Sequence, residues 1–136
     1  MIATYPKATE EIAQMVFNSI DSFREWGIDR VREWVQWFVN NDRFYAISCG
    51  GKLVGVTLFR MVDVEEDCHE HYRDTDGEIC YVEATVSDHP SGLRVMYDIL
   101  WNDVGKDSTW MAWVRGKHNN RIVMVEMNKA KRRFMR

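Results

Sequence analysis

Three short stretches carry residue types that could do chemistry. In the first, "SDHPSGLR" (residues 87–94), an apolar run gives way to a tight loop and then to a helical pattern. That order can hold a phosphate-bearing ligand, because loop N–H groups and the N-terminus of a helix both favour negative charge. This loop contains one glycine, Gly92, and one proline, Pro90, which has no N–H to offer. The second stretch, "CHEH", places Cys68 and His71 at C-x-x-H spacing, with His69 and Glu70 between them. A structural zinc site needs a second pair of Cys or His ligands. Only Cys80 and His89 could supply one, and only through folding, so a solvated acidic loop with no metal is the expectation. The third stretch, "KAKRRFMR", could grip phosphates through Lys129, Lys131, Arg132 and Arg133 without reading sequence, with Phe134 as the aromatic in the run that could stack on a base. Nucleophilic catalysis has little support. No G-x-S-x-G occurs, Asp88, His89 and Ser91 are too close in sequence to form a triad alone, and Cys49 reads as a small buried hydrophobe.

Charge is distributed unevenly. From Arg115 to Arg136 there are eight Lys/Arg against one acid, Glu126, a net of +7 in a chain whose total is -3, which leaves -10 for the remainder. Such polarity suits an anionic ligand, a nucleic acid or an acidic partner, and equally a solvated basic end. The three cysteines, Cys49, Cys68 and Cys80, do not form a regular disulfide framework, so a reducing, cytoplasmic setting is expected. No apolar run approaches the roughly 18 residues that span a bilayer, and no signal peptide is evident, so no membrane role is expected. Six Trp, six Phe and five Tyr supply a core and leave room for at least one exposed aromatic contact with a partner.

The elements that must position these residues follow from periodicity. "TEEIAQMVFNSIDSF" reads as a helix with Thr9 as N-cap, Glu10 and Glu11 in the first turn, and Ile12, Met15, Val16, Ile20 and Phe23 on one face. Gly27 ends the pattern, and a second helix from Ile28 runs to Asn40 and Asn41. Two β-rich runs, about 43–49 and 52–62, flank Gly50-Gly51, a type I′ hairpin signal. The acidic stretch "VDVEEDCHEHYRDTDGE" has no period and reads as a loop. "ICYVEATV" reads as a central buried strand. Leu93, Met96, Tyr97, Leu100, Trp101 and Val104 form an amphipathic helical stripe. "TWMAWVR" is a strand, "KHNNRIVMVEM" is helix or strand, and the tail adds a last strand. No repeat or linker divides the chain, so one domain over residues 1–136 is expected.

That order resembles the GNAT (Gcn5-related N-acetyltransferase) fold. "RFYAISCGGKLVGVTLFR" looks like the family's second and third strands. "ICYVEATVSDHPSGLRVMYDIL" looks like its fourth strand, acetyl-CoA loop and following helix. "WMAWVRGKHNNRIVMV" looks like its fifth strand leading to an N-N-x-x-A helix start at Asn119 and Asn120. The resemblance implies an α/β (α+β) fold, a mixed and mostly antiparallel sheet with helices on both faces.

It also implies a cofactor site, and the sequence departs from the family there. Active members carry Q/R-x-x-G-x-G/A in the loop. Here two of the glycine positions are missing, Asp88 adds a negative charge and Pro90 removes a donor. The remaining cofactor contacts would be Ser91, Gly92, Leu93 and Arg94, with Asn119 from the later motif. Where many members place a general-acid Tyr, this chain has Glu126, and no Tyr follows Tyr97. If the protein is active, Glu83 or Glu78 on the family's fourth strand could act as base, since burial can raise a Glu toward neutral pH; the plainer expectation for Glu83 is a solvated carboxylate. The acids of the loop before that strand could attract a cationic acceptor. The pattern is similar to small GNAT-like internal virion proteins of tailed phages.

Three readings follow. The first is a GNAT-like domain with a degenerate acetyl-CoA loop, acting through a protein partner or self-association, in a phage particle or on host machinery. The second is a working acetyl-CoA-dependent N-acetyltransferase. The third is a nucleic-acid-associated protein that uses its basic end.

Overall fold

The computed structural model describes residues 7–70, 72–115 and 121–135. The helices are α1 (Lys7–Ser19), α2 (Asp21–Trp26), α3 (Ile28–Asn40), α4 (Gly92–Asp103) and α5 (Met127–Phe134), and the strands are β1 (Phe44–Cys49), β2 (Lys52–Val62), β3 (Ile79–Ser87), β4 (Trp110–Arg115) and β5 (Arg121–Glu126). The strands form one sheet in the order β1-β2-β3-β4-β5. β1–β2 and β4–β5 pair antiparallel, and β3–β4 pair parallel. The mixed, mostly antiparallel sheet is therefore as the sequence predicts.

The chain divides into two compact units. One holds the described residues up to Leu58 together with Ala84–Leu93; the other holds Phe59–Glu83 together with the described residues from Arg94 onward.

In the first unit, the α1 and α3 faces meet over Ile12, Val16, Val31, Trp34, Val35 and Phe38, and Phe44, Ala46, Val56, Leu58, Ala84 and Val86 complete the core from the strands. Tilted and edge-to-face aromatic contacts run through it, with Phe23–Trp34 at 5.0 Å and Trp34–Phe38 at 4.8 Å between centroids. The Gly50-Gly51 signal is met in full: φ is +60° and +78°, the pair of positive values a type I′ turn needs, and Cys49 lies opposite Lys52. In the second unit, Val62, Cys68, Ile79, Tyr81 and Ala112 form a smaller core, with Ile122 and Met124 packed against it.

Five expectations are corrected. The first helix is not continuous: Ile20 takes an extended backbone (φ -118°, ψ 113°), and Arg24 Nη2 donates to Asn18 O at 2.6 Å, satisfying a carbonyl at the end of α1. Thr9 is not an N-cap, because α1 begins at Lys7 and Thr9 lies inside it, buried. Leu93 leaves the α4 stripe; it is exposed, whereas Met96 and Leu100 are fully buried. The tail adds no strand. Its Met127, Ala130 and Phe134 have helical spacing, and Met127 and Ala130 are buried on one side of α5. Cys49 is exposed rather than a small core residue. Of the two alternatives for the segment before α5, strand is the one formed, as β5; Asn119 and Asn120 lie outside the described residues.

Candidate functional site

The loop from β3 into α4 is held shut by its own residues. Ser87 Oγ donates to His89 O at 2.7 Å and accepts from His89 N–H at 3.2 Å. Ser91 N–H donates to His89 Nδ1 at 3.2 Å, and Gly92 N–H donates to His89 O at 3.0 Å. Asp88 N–H donates to Val54 O at 2.8 Å. Pro90 has no N–H. Each donor that could have turned toward a pyrophosphate between Asp88 and Gly92 is thus spent or missing. Leu93 and Arg94 follow in the first turn of α4 with both side chains exposed, and the first N–H groups of a helix have no partner within it.

Gly92 also has a role of its own in the closed loop. A Cβ there would collide with Ser87 Oγ and meet Ser87 Cβ at 3.0 Å. The glycine lets the loop close on Ser87, which is a different requirement from letting a phosphate approach.

Beside the loop is an open cavity of about 560 Å³ lined by Glu11, Gln14, Met15 and Asn18 of α1, by Lys52 and Leu53 after the hairpin turn, and by Asp88, among others. Two carboxylates against one ammonium make it a poor place for a polyphosphate.

Arg94 belongs to the second unit, as do Glu78 and Glu83. Glu78 is exposed just before β3, and its carbonyl accepts from Thr109 and Trp110 N–H at 2.9 and 3.1 Å. Glu83 is not the solvated carboxylate of the plainer expectation. Its side chain is 15% exposed and its Oε1 accepts from Arg60 Nε at 2.6 Å. Arg60 is fully enclosed and spends its other donors on backbone carbonyls: Nη1 on Asp67 O (3.1 Å) and Arg73 O (2.8 Å), and Nη2 on Cys68 O (2.8 Å). Its guanidinium carbon stands 5.1 Å from the centre of the Tyr81 ring. The arrangement is a clamp: one buried cation on β2 holds β3 through Glu83 and the Glu65–His69 turn through carbonyls. Arg73 Nε reinforces that turn by pairing with Asp67 Oδ1 at 3.0 Å.

Sequence reasoning singled out Glu83 and missed Arg60. The signal was available, since "LFRMV" sets one cation amid apolar residues of a strand while Glu83 sits in the same way in its neighbour. Buried charges of this kind occur in pairs.

The clamp also holds the first residue of "CHEH", through Cys68 O. Cys68 is buried, and burial pushes its thiol up to about 11, with Arg60 pulling the other way. Burial also pushes the Tyr81 phenol upward, and the Glu83 carboxylate adds to the rise. Among the described residues no cluster of three His, Cys, Asp or Glu could hold a metal ion; His71 lies outside them. A thiol reagent at pH 8 should therefore modify Cys49 quickly in the native protein and reach Cys68 and Cys80 only after unfolding. Mass spectrometry of the labelled peptides checks this, and rapid native labelling of Cys68 would contradict the burial.

Comparison with known proteins bears on the fold. The sequence matches no protein-family model and no curated protein. PH1933 from Pyrococcus horikoshii OT3 is similar in structure, with a TM-score of 0.62 at 16% identity over 88% of this chain and 77% of that one. A "putative acetyltransferase" from Staphylococcus aureus MU50 is similar with a TM-score of 0.51 at 9% identity, over 76% of this chain and 73% of that one. The fold is GNAT-like. At such identities the likeness speaks for architecture alone, and activity has to be argued from the residues in place. Among the described residues no helix is long and apolar enough to cross a membrane.

Proposed function

We propose that this GNAT-like domain has given up acyl transfer and works through contact with another protein. The observation that carries the reading is the closed loop: the N–H groups of Asp88, His89, Ser91 and Gly92 are already donated within the protein, and Pro90 has none. Acetyl-CoA would have to break that set before its pyrophosphate could be held, and the carboxylates of Asp88 and Glu11 would oppose it from the adjoining cavity.

Two exposed apolar side chains of β4 would contribute to such a contact. Trp110 and Val114 of β4 are each 39% exposed and point to one side of the sheet, where Ile122 and Met124 of β5 lie half-buried. An apolar patch beside an edge strand is a common basis for protein recognition. The resemblance to virion-internal domains suggests a phage particle or phage-modified host machinery as the setting.

Calorimetric titration with acetyl-CoA tests the reading. No heat of binding is expected up to millimolar ligand. Micromolar binding that is lost in Arg94→Ala would establish the opposite, an acetyl-CoA-dependent N-acetyltransferase with an atypical loop, for which Glu83 and Glu78 would be the first bases to examine.

A further inference from the structure

We infer that α5 is a docking face for the phosphate backbone of duplex DNA, independent of whatever the β3–α4 loop does. The helix is clamped down on its apolar side. Met127 and Ala130 are buried, and the Phe134 ring sits between Tyr97 of α4 at 5.6 Å and Trp113 of β4 at 5.8 Å. What it turns outward is cationic. Lys129, Arg132 and Arg133 are all exposed, and their i, i+3, i+4 spacing aligns them on one face within a single turn or so of helix. Among the described residues none of the three is in an ion pair. Lys131, the fourth cation, is half-buried with its Nζ 5.1 Å from the centre of the Trp101 ring, and the Arg133 guanidinium lies 5.2 Å from that of Phe134.

The charge along this segment of the chain is one-sided. Between Arg121 and Met135 Glu126 is the single acid, and Arg121 on β5 is exposed as well. Although the whole chain carries -3, a bound polyanion feels mainly what lies within a Debye length, about 10 Å at 0.1 M salt. Two of the three cations are arginines, whose planar forks suit phosphate oxygens.

The same details choose among polyanions. The exposed side of α5 carries no apolar wedge, so it lacks what an interfacial helix inserts into a bilayer. Phe134 is engaged with Tyr97 and Trp113 and does not stand out as a stacking platform, so a single strand gains little. A row of exposed cations on one helix face, with no free aromatic to stack on a base, fits a regular double-stranded backbone, read without regard to sequence.

The test is fluorescence anisotropy with a labelled DNA duplex of arbitrary sequence, beside single-stranded DNA, an RNA duplex and anionic vesicles. Three phosphate contacts predict a log–log salt slope near -2.7, so affinity should fall about 40-fold between 50 and 200 mM salt. A second, unrelated duplex should bind equally well. The variant Lys129→Gln/Arg132→Gln/Arg133→Gln should lose at least 10-fold in affinity with an unchanged melting curve. Arg132→Lys/Arg133→Lys, which keeps the charge, should retain most of the binding, and Lys131→Gln should lose less than the triple variant. Four results would overturn the inference: no binding at 50 mM salt, unchanged affinity in the triple variant, loss of binding in Arg132→Lys/Arg133→Lys equal to that of the triple variant, or tighter binding to vesicles, RNA duplex or single strand than to duplex DNA.

Discussion

Arg60→Met should destabilise the protein by about 3–5 kcal/mol, measured as the shift in urea unfolding followed by tryptophan fluorescence. The size of the effect comes from what is left behind. Glu83, with 15% of its side chain exposed, would lose the guanidinium that faces it, and the carbonyls of Asp67, Cys68 and Arg73 would lose the Arg60 N–H groups together. Glu83→Gln should cost less, about 1–3 kcal/mol, because an amide oxygen can still accept from Arg60 and the carbonyl contacts survive. The double variant Arg60→Met/Glu83→Leu separates the two contributions. If the ion pair dominates, removing both charges recovers most of the loss; if the carbonyls dominate, the double variant is as unstable as Arg60→Met. A loss below 1 kcal/mol for Arg60→Met would mean the clamp does not hold the fold.

Gly77→Ala is the second large effect, expected at about 2–3 kcal/mol in the same unfolding measurement. Gly77 needs no unusual φ; its constraint is space. A Cβ at this position would run into the backbone carbon and oxygen of Val62 and would meet Asp63 Oδ1 at 2.5 Å. Asp63 could swing aside, but Val62 is fully buried at the end of β2 and cannot. The chain between β2 and β3 would have to lift, which also strains the bond from Thr75 N–H to Met61 O at 2.8 Å. A wild-type melting curve for Gly77→Ala would contradict this packing.

How much could be read from sequence depended on how local the deciding interaction is. The hairpin was legible because Gly50 and Gly51 alone determine the turn, and β2 falls at Lys52–Val62 as its pattern indicates. The break at Ile20 was not, because it depends on Arg24 reaching back six residues to Asn18 O. The tail was misread as a strand for a similar reason: what holds α5 is Phe134 against Tyr97 and Trp113, both distant in sequence. At the loop, missing glycines and an added Asp88 were visible in the letters. Its closure through Ser87 was not, because Ser87 belongs to the last position of β3 and only its hydroxyl reaches back over His89.

The way the chain threads its two compact units has a consequence for the order of folding. The first unit's core needs Ala84 and Val86 beside Ile12, Val31 and Phe44, yet those two residues are made only after the whole of Phe59–Glu83, which belongs to the other unit. During synthesis the three N-terminal helices and the hairpin can gather early, since their contacts are short in sequence. They must then wait, with apolar surface uncovered, until a segment some thirty residues downstream of the hairpin turn leaves the ribosome. No single cut separates the two units, so a fragment ending after β2 lacks Ala84 and Val86 of the first unit's core.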